Sequence, residues 1–245
     1  MSELKIHSIE IHIVDLPTIR PHHLAMHTIV TQTIVLACIK SEDGMEGWGE
    51  VATIGGASYS AESPEAIKLN IEKYIEPLII GMNPVNFDAI MHQVGIHVVG
   101  NHYAKALVES AMVDLVAKTK NIPAYELFGG QCHTSLPVAW TLASGDTGKD
   151  IEEAKNCLNE RKHNIFKLKI GKGDPRKNVE HVIKIKEVLG DAASVRVDVN
   201  QAWDEVTSLY CIEALENGGV DLIEQPLVHW KLPKREVDSR AARSG

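Results

Sequence analysis

Four residues in the second half of the chain have the types and spacing for acid–base and cation chemistry: Lys167, Lys169, Asp198 and Glu224. Lys167 and Lys169 form a K-x-K pair inside the β-rich run IFKLKIG. Side chains alternate along a strand, so the two lysines share one face and Leu168 takes the other. Two ammonium groups side by side repel, and partial burial disfavours charge further. Both effects are expected to lower a lysine pKa toward the range of a general base. Asp198 and Glu224 stand toward the C-terminal ends of two further apolar runs, VRVDVNQAWDE and DLIEQP. Two carboxylates brought together begin a site for a hard divalent cation, because Mg²⁺ and Mn²⁺ prefer oxygen ligands. Taken singly, each motif has an ordinary reading: K-x-K as a solvated strand face, the carboxylates as helix caps. Their weight comes from falling at the ends of three consecutive strand patterns.

Those patterns must bring the four residues together. Between the strand runs lie stretches of helical period. In one of them Val179, Val182, Ile183, Ile185, Val188 and Leu189 recur at i, i+3, i+4 spacing. Strand, helix, strand, helix, strand with a repeat of about 25–30 residues is the length of a parallel βα unit. In a barrel of such units the strand C-termini converge on one mouth. Residues 136–142 (LPVAWTL) are expected to form the first strand of this region and 150–163 a helix. Further strands are expected at 165–170, 195–199 and 220–224.

The first half reads differently. Residues 4–14 alternate apolar and polar, residues 31–39 make a second strand, Ser41-Glu42-Asp43-Gly44 is turn chemistry, and GWGE at 47–50 opens a third strand. This is an antiparallel meander. Two segments, 16–28 (LPTIRPHHLAMHT) and 53–62 (TIGGASYSAE), read as exposed loops. His22, His23, Ile54 and Tyr59 could line a substrate mouth there, or the loops could be ordinary connections. Ser63-Pro64-Glu65 starts a helical region that runs to about Phe128, with Leu107, Ala111 and Leu115 as an apolar stripe. Glu109 and Asp114 on that stretch are read as surface or capping charges. The expected division is an α+β domain over residues 1–130 followed by α/β units from 131 to 227.

With 245 residues, the length accommodates one large or two modest domains. No apolar run approaches the roughly 20 residues of a membrane span, and the alternating start of the chain does not read as a signal peptide. A formal net charge of −8 argues against a nucleic-acid partner. Four cysteines without C-x-x-C spacing suggest reduced thiols and a cytoplasmic setting. Twelve histidines include no H-E-x-x-H motif, and no zinc site is expected.

GWGE at 47–50, AKALVESAMVDLVAK, the K-x-K at 167–169, RVDVNQAW at 196–203 and LIEQP at 222–226 together resemble the muconate lactonising branch of the enolase superfamily. The stretches VDLPTIRPHHLAMHT, ATIGGASYSAESPE and VAWTLASGD resemble its muconate-specific members more narrowly. The resemblance covers residues 1 to about 227. It implies an N-terminal α+β capping domain followed by a TIM-like (β/α)₇β barrel. A lysine base facing a bound divalent ion is the arrangement described for enolase-superfamily sites. By resemblance, Lys169 would be the proton-transfer lysine and Lys167 its electrostatic companion. Asp198 and Glu224 would be ligands of Mn²⁺ or Mg²⁺. Asn200, His22, Ile54 and Tyr59 would lie about the substrate, a small dicarboxylate. The implied reaction interconverts cis,cis-muconate and muconolactone in catechol breakdown, the β-ketoadipate pathway. The similar enzymes are homo-oligomers that tend to be octamers.

The resemblance stops after Pro226. The family continues for four more strands, with a third metal carboxylate on the next strand, a further lysine and a late glutamate. Here the chain reads LVHWKLPKREVDSRAARSG, and residues 228–245 are expected to be an aberrant tail, truncated or out of frame. Only about the first half of the barrel would then be present, and this chain alone would be inactive. The alternatives kept open are a chloromuconate-converting or N-acylamino acid-racemising member of the same branch, and a non-catalytic remnant.

Overall fold

The computed structural model describes residues 4–23, 28–58 and 60–228, without the side chains of 20–23 and 28. The described residues divide into two compact units. One is built from residues up to 21 and from 29 to 134; the other runs from residue 135, with 22–23 and 28 assigned to it. The tail beyond Val228 and Tyr59 lie outside the described residues.

The first unit is an antiparallel sheet of β1 (Ile6–His23), β2 (Thr28–Ser41) and β3 (Glu46–Thr53), in the order β1-β2-β3. Strand alternation puts Ile9, Ile11, Val35, Ala37 and Ile39 into the core. The turn between β2 and β3 closes through Gly44 N–H donating to Ser41 O at 3.0 Å, with Gly44 at φ +84°. The expected loop at 16–28 is corrected: residues 16–23 continue β1. Pro17 and Pro21 are compatible with this because β1 is an edge strand, where a missing N–H costs no ladder bond.

Helices α1 (Pro64–Asn70), α2 (Glu76–Ile79), α3 (Phe87–His97) and α4 (His102–Lys120) complete the unit. Ser63 caps α1 by accepting from Ala66 N, as S-P-E predicts. The stripe of Leu107, Ala111 and Leu115 on α4 is fully buried. GWGE owes its glycines to this helix. A Cβ on Gly47 would stand 2.2 Å from Ala111 O, and one on Gly49 2.3 Å from Leu107 O, so β3 can lie against the α4 backbone only where no side chain intervenes. Asp114 accepts from Trp48 N at 2.7 Å and pairs with Lys118, tying α4 to β3.

The second unit is a parallel sheet of β4 (Trp140–Leu142), β5 (Ile165–Lys169), β6 (Ser194–Asp198) and β7 (Leu222–Glu224), in sequence order. Between them run α5 (Thr147–Asn159), α6 (Pro175–Leu189) and α7 (Glu205–Asn217). Asp146, Asp174 and Asp204 cap these helices. One face of the sheet, with Leu142, Phe166, Leu168, Val195 and Val197, packs on Ala154, Val182, Ile185, Cys211 and Leu215 of the helices. The expected first strand over 136–142 shrinks to Trp140–Leu142, because Leu136 and Val138 are mostly exposed and have no strand partner among the described residues. The expected helix over 150–163 instead spans Thr147–Asn159 and is closed by Glu160 and by Arg161 at φ +53°. No helix among the described residues is long and apolar enough to cross a membrane.

Candidate active site

The face of the parallel sheet turned away from the helices carries the charge. Parallel pairing aligns Lys169, Asp198 and Glu224 in a single row across β5, β6 and β7. Lys167 lies two residues behind Lys169 on the same face, in row with Arg196. Leu168 is buried on the opposite face, as the period of two requires. One short segment of each strand thus contributes to a cluster assembled from residues up to 57 positions apart.

Lys169 Nζ donates to Asp198 Oδ2 at 2.5 Å and to Asn200 Oδ1 at 3.3 Å. Lys167 Nζ lies 2.5 Å from Glu224 Oε2 and 3.3 Å from Asp198 Oδ2, so it bridges the two carboxylates. Asp198 is 1% exposed and also accepts from Asn200 N at 3.0 Å through Oδ1. Burial pushes its carboxyl upward, but the Lys169 hydrogen bond, the Asn200 N–H and the nearby lysine charges outweigh this and hold it below the usual carboxylate range.

The expected depression of the lysines is corrected at Lys167. Burial alone would lower it, yet its hydrogen bonds and charge contacts with Glu224 and Asp198 raise it above the ordinary lysine value. The spacing predicted mutual repulsion between Lys167 and Lys169. It could not show that each ammonium meets a carboxylate from a neighbouring strand.

Asp198 does not cap the helix that follows it, since Asp204 caps α7. The backbone just past the strand ends is unusual instead. Asn200, Gln201 and Gln225 have φ of +50°, +65° and +45°. Asparagine tolerates this region, whereas glutamine there costs on the order of 1 kcal/mol. The turns are held by Gln201 N–H donating to Gln225 O at 2.7 Å and Trp203 N–H donating to Pro226 O at 3.1 Å. Strain of this kind concentrates where side chains must be presented in one geometry. The Gln201 and Gln225 positions carry no sequence signal that marks them.

Ile54, 37% exposed, follows β3 in the first unit. His22 is the second-last residue of β1, but its side chain and the whole of Tyr59 lie outside the described residues. A groove along α5 lined by Trp140, Glu153, Cys157 and His163 contains none of the lysine–carboxylate residues.

Residues 8–129 match the mandelate racemase / muconate lactonizing enzyme N-terminal domain, and residues 149–242 match the enolase C-terminal domain-like family. The chain is 50% identical over 229 residues to muconate cycloisomerase 1 of Pseudomonas putida, covering 93% of this chain and 61% of that protein. It is 42% identical over 224 residues to a chloromuconate cycloisomerase of the same species, covering 91% of this chain and 60% of the relative. Among solved structures, a muconate lactonizing enzyme from Pseudomonas fluorescens complexed with muconolactone superposes with a TM-score of 0.89 at 53% identity, covering 92% of this chain and 61% of that one. The chain belongs to the mandelate racemase / muconate lactonizing enzyme family of the enolase superfamily. Its architecture is the family's antiparallel capping domain followed by a parallel β/α segment of the barrel. It spans about 60% of the length of these relatives.

The family implies a divalent cation, and the donor chemistry here fits one. Two carboxylates and the Asn200 amide oxygen are hard ligands, and the Lys167 ammonium already stands between Asp198 and Glu224 as a cation would. The set is partial: among the described residues no three His, Cys, Asp or Glu side chains gather closely enough to hold a metal by themselves.

Proposed function

We propose that this chain carries the proton-transfer half of a muconate cycloisomerase site, interconverting cis,cis-muconate and muconolactone. The observation that supports this most is the row Lys169, Asp198, Glu224 at three adjacent strand ends, with Lys167 bridging the two carboxylates. The charged face also carries Arg196, giving three cationic residues against two carboxylates, a balance that favours a dianionic ligand. The similarity to muconate cycloisomerases exceeds that to chloromuconate cycloisomerases, 50% against 42% identity, which favours the unchlorinated substrate.

In the lactonising direction, a carboxylate oxygen of muconate adds to the far carbon–carbon double bond. The electron pair of that bond moves to the carbon α to the other carboxylate, and Lys169 delivers its proton there. In reverse, Lys169 removes that α proton. The electron pair re-forms the double bond as the ring C–O bond breaks, and the ring oxygen leaves as carboxylate. Asp198 and Asn200 hold the Lys169 Nζ in place through their oxygens. Mn²⁺ or Mg²⁺ held by Asp198 and Glu224 would supply stabilisation of the negative charge that develops on the substrate carboxylate. In this reading Ile54, His22 and Tyr59 face the substrate. The division into a capping domain over 1–130 and barrel units over 131–227 is part of the same proposal. The four parallel strands among the described residues supply one side of a barrel that closes with about eight, so residues 1–228 by themselves are expected to show no turnover.

The test joins residues 1–227 to the remaining C-terminal part of the P. putida relative and follows muconate absorbance with excess Mn²⁺. The chimera should lactonise muconate, and Lys169→Ala should lose at least about 10³-fold in kcat while remaining folded. Near-normal turnover in Lys169→Ala would remove this residue from the role.

A further inference from the structure

Asp198 and Glu224 already share a cation in this structure, the ammonium of Lys167. Its contacts, 2.5 Å to Glu224 Oε2 and 3.3 Å to Asp198 Oδ2, join carboxylates from different strands through one positive centre. Among the described residues Glu224 pairs with Lys167 alone, whereas Lys169 is engaged separately by Asp198 and Asn200. The two lysines are therefore not equivalent: one is held beside a buried carboxylate, the other spans two.

We propose that Lys167 is a place-holder whose ammonium occupies the position between Asp198 and Glu224 that a divalent cation takes on loading. This rests on the assignment of those carboxylates as metal ligands and deepens it. Two carboxylates held close without a cation repel one another, and their rotamers would splay. A bridging ammonium keeps them aimed at a common point, so the ligand pair is pre-formed before metal arrives. A divalent ion between the two carboxylates would take the place of the Lys167 ammonium and repel it at that distance, so loading requires Lys167 to swing out of that position. The side chain suits this, with a flexible four-carbon stem and 26% exposure that leaves it an outward path. Once displaced, Lys167 is free to meet an anionic group of the substrate, which makes metal loading a precondition for its use there.

The test is Mn²⁺ binding by calorimetry on the chimera described above, with Lys167→Met, Lys167→Arg, Asp198→Asn and the double variant Lys167→Met/Asp198→Asn. Removing the competing ammonium should tighten Mn²⁺ binding by about tenfold in Lys167→Met, the equivalent of one lost charge-assisted hydrogen bond. The metal-free thermal midpoint of Lys167→Met should fall below that of the unsubstituted chain, and Mn²⁺ should recover it. Lys167→Arg keeps a cation between the carboxylates and should bind Mn²⁺ no more tightly than the unsubstituted chain; if the methionine variant does not fold, Lys167→Gln takes its place. Asp198→Asn should abolish binding in both backgrounds. Equal or weaker Mn²⁺ binding in Lys167→Met, with binding still lost in Asp198→Asn, overturns the place-holder and leaves the ligand assignment standing. Binding that survives Asp198→Asn, or no Mn²⁺ binding in either the unsubstituted chain or Lys167→Met, overturns both.

Discussion

Two lysines among the described residues each span a pair of carboxylates, one in each unit. Lys40 on β2 lies 2.7 Å from Glu10 Oε1 and 3.7 Å from Glu46 Oε1. Lys167 on β5 lies 2.5 Å from Glu224 Oε2 and 3.3 Å from Asp198 Oδ2. Distances alone scarcely separate them. What differs is the setting. Around Lys40 all three side chains are a third to a half exposed, and the pairs are screened by water and salt. Around Lys167 one carboxylate is buried, a second lysine competes for it, and left-handed backbone turns follow both strand ends. An ion pair becomes a candidate site when its surroundings make it costly to keep, because ordinary surface pairs carry no such burden.

The comparison breaks most sharply at the buried carboxylate. Asp198→Ala leaves two ammonium groups without their shared partner and Asn200 N–H without an acceptor. It should lower unfolding free energy by about 2 kcal/mol in urea titrations. A change indistinguishable from that of Glu46→Ala would erase the distinction between the two clusters.

A third carboxylate sharpens the comparison, because it is buried yet lies outside the proposed site. Asp150, 1% exposed, accepts from Ser144 N at 3.2 Å and faces His181 Nε2 at 3.3 Å. Burial raises its carboxyl, but the facing His181 ring and the donors of Ser144 outweigh this and hold it low. With a depressed folded-state value, its contribution to stability is complete above the unfolded carboxylate value near 3.9 and is lost as pH falls through the folded value. Asp150→Asn should flatten that acid limb of the stability curve without altering Mn²⁺ binding. An unchanged limb would show that the pair does not stabilise the α5–α6 contact.

A smaller effect is expected at Ile54. In the chimera, Ile54→Val should change the ratio of muconate to chloromuconate turnover by a few-fold, below the roughly tenfold or more that a methyl group can contribute in an enclosed apolar pocket. Equal losses on both substrates would assign the loop to the fold and not to specificity. The least effect belongs to the surface cluster, where Lys40→Met should leave the urea midpoint and turnover unchanged within error.

Strand spacing made the site legible. Period-two alternation placed Lys167 and Lys169 on one face, and the βα repeat placed Asp198 and Glu224 at neighbouring strand ends, where parallel pairing puts them in one row with Lys169. The continuation of β1 through residues 16–23 was hidden by Pro17 and Pro21, which read as loop residues unless the strand is known to be an edge. Trp140–Leu142 is shorter than its apolar pattern because a pattern does not provide a strand partner. The raised Lys167 pKa was hidden for a related reason: neighbours in sequence repel it, while the groups that dominate, Glu224 and Asp198, come from other strands. Nor did any motif announce the Asp150–His181 contact between α5 and α6, which joins residues 31 apart in sequence.

The central claim is that Lys169 moves the proton α to the substrate carboxylate, and isotope exchange tests it most directly. In deuterated buffer with Mn²⁺, proton NMR of muconolactone incubated with the chimera should show deuterium entering at that carbon. The exchange should vanish in Lys169→Ala and persist in Lys40→Ala. Deuterium incorporation continuing at a comparable rate in Lys169→Ala would contradict the account.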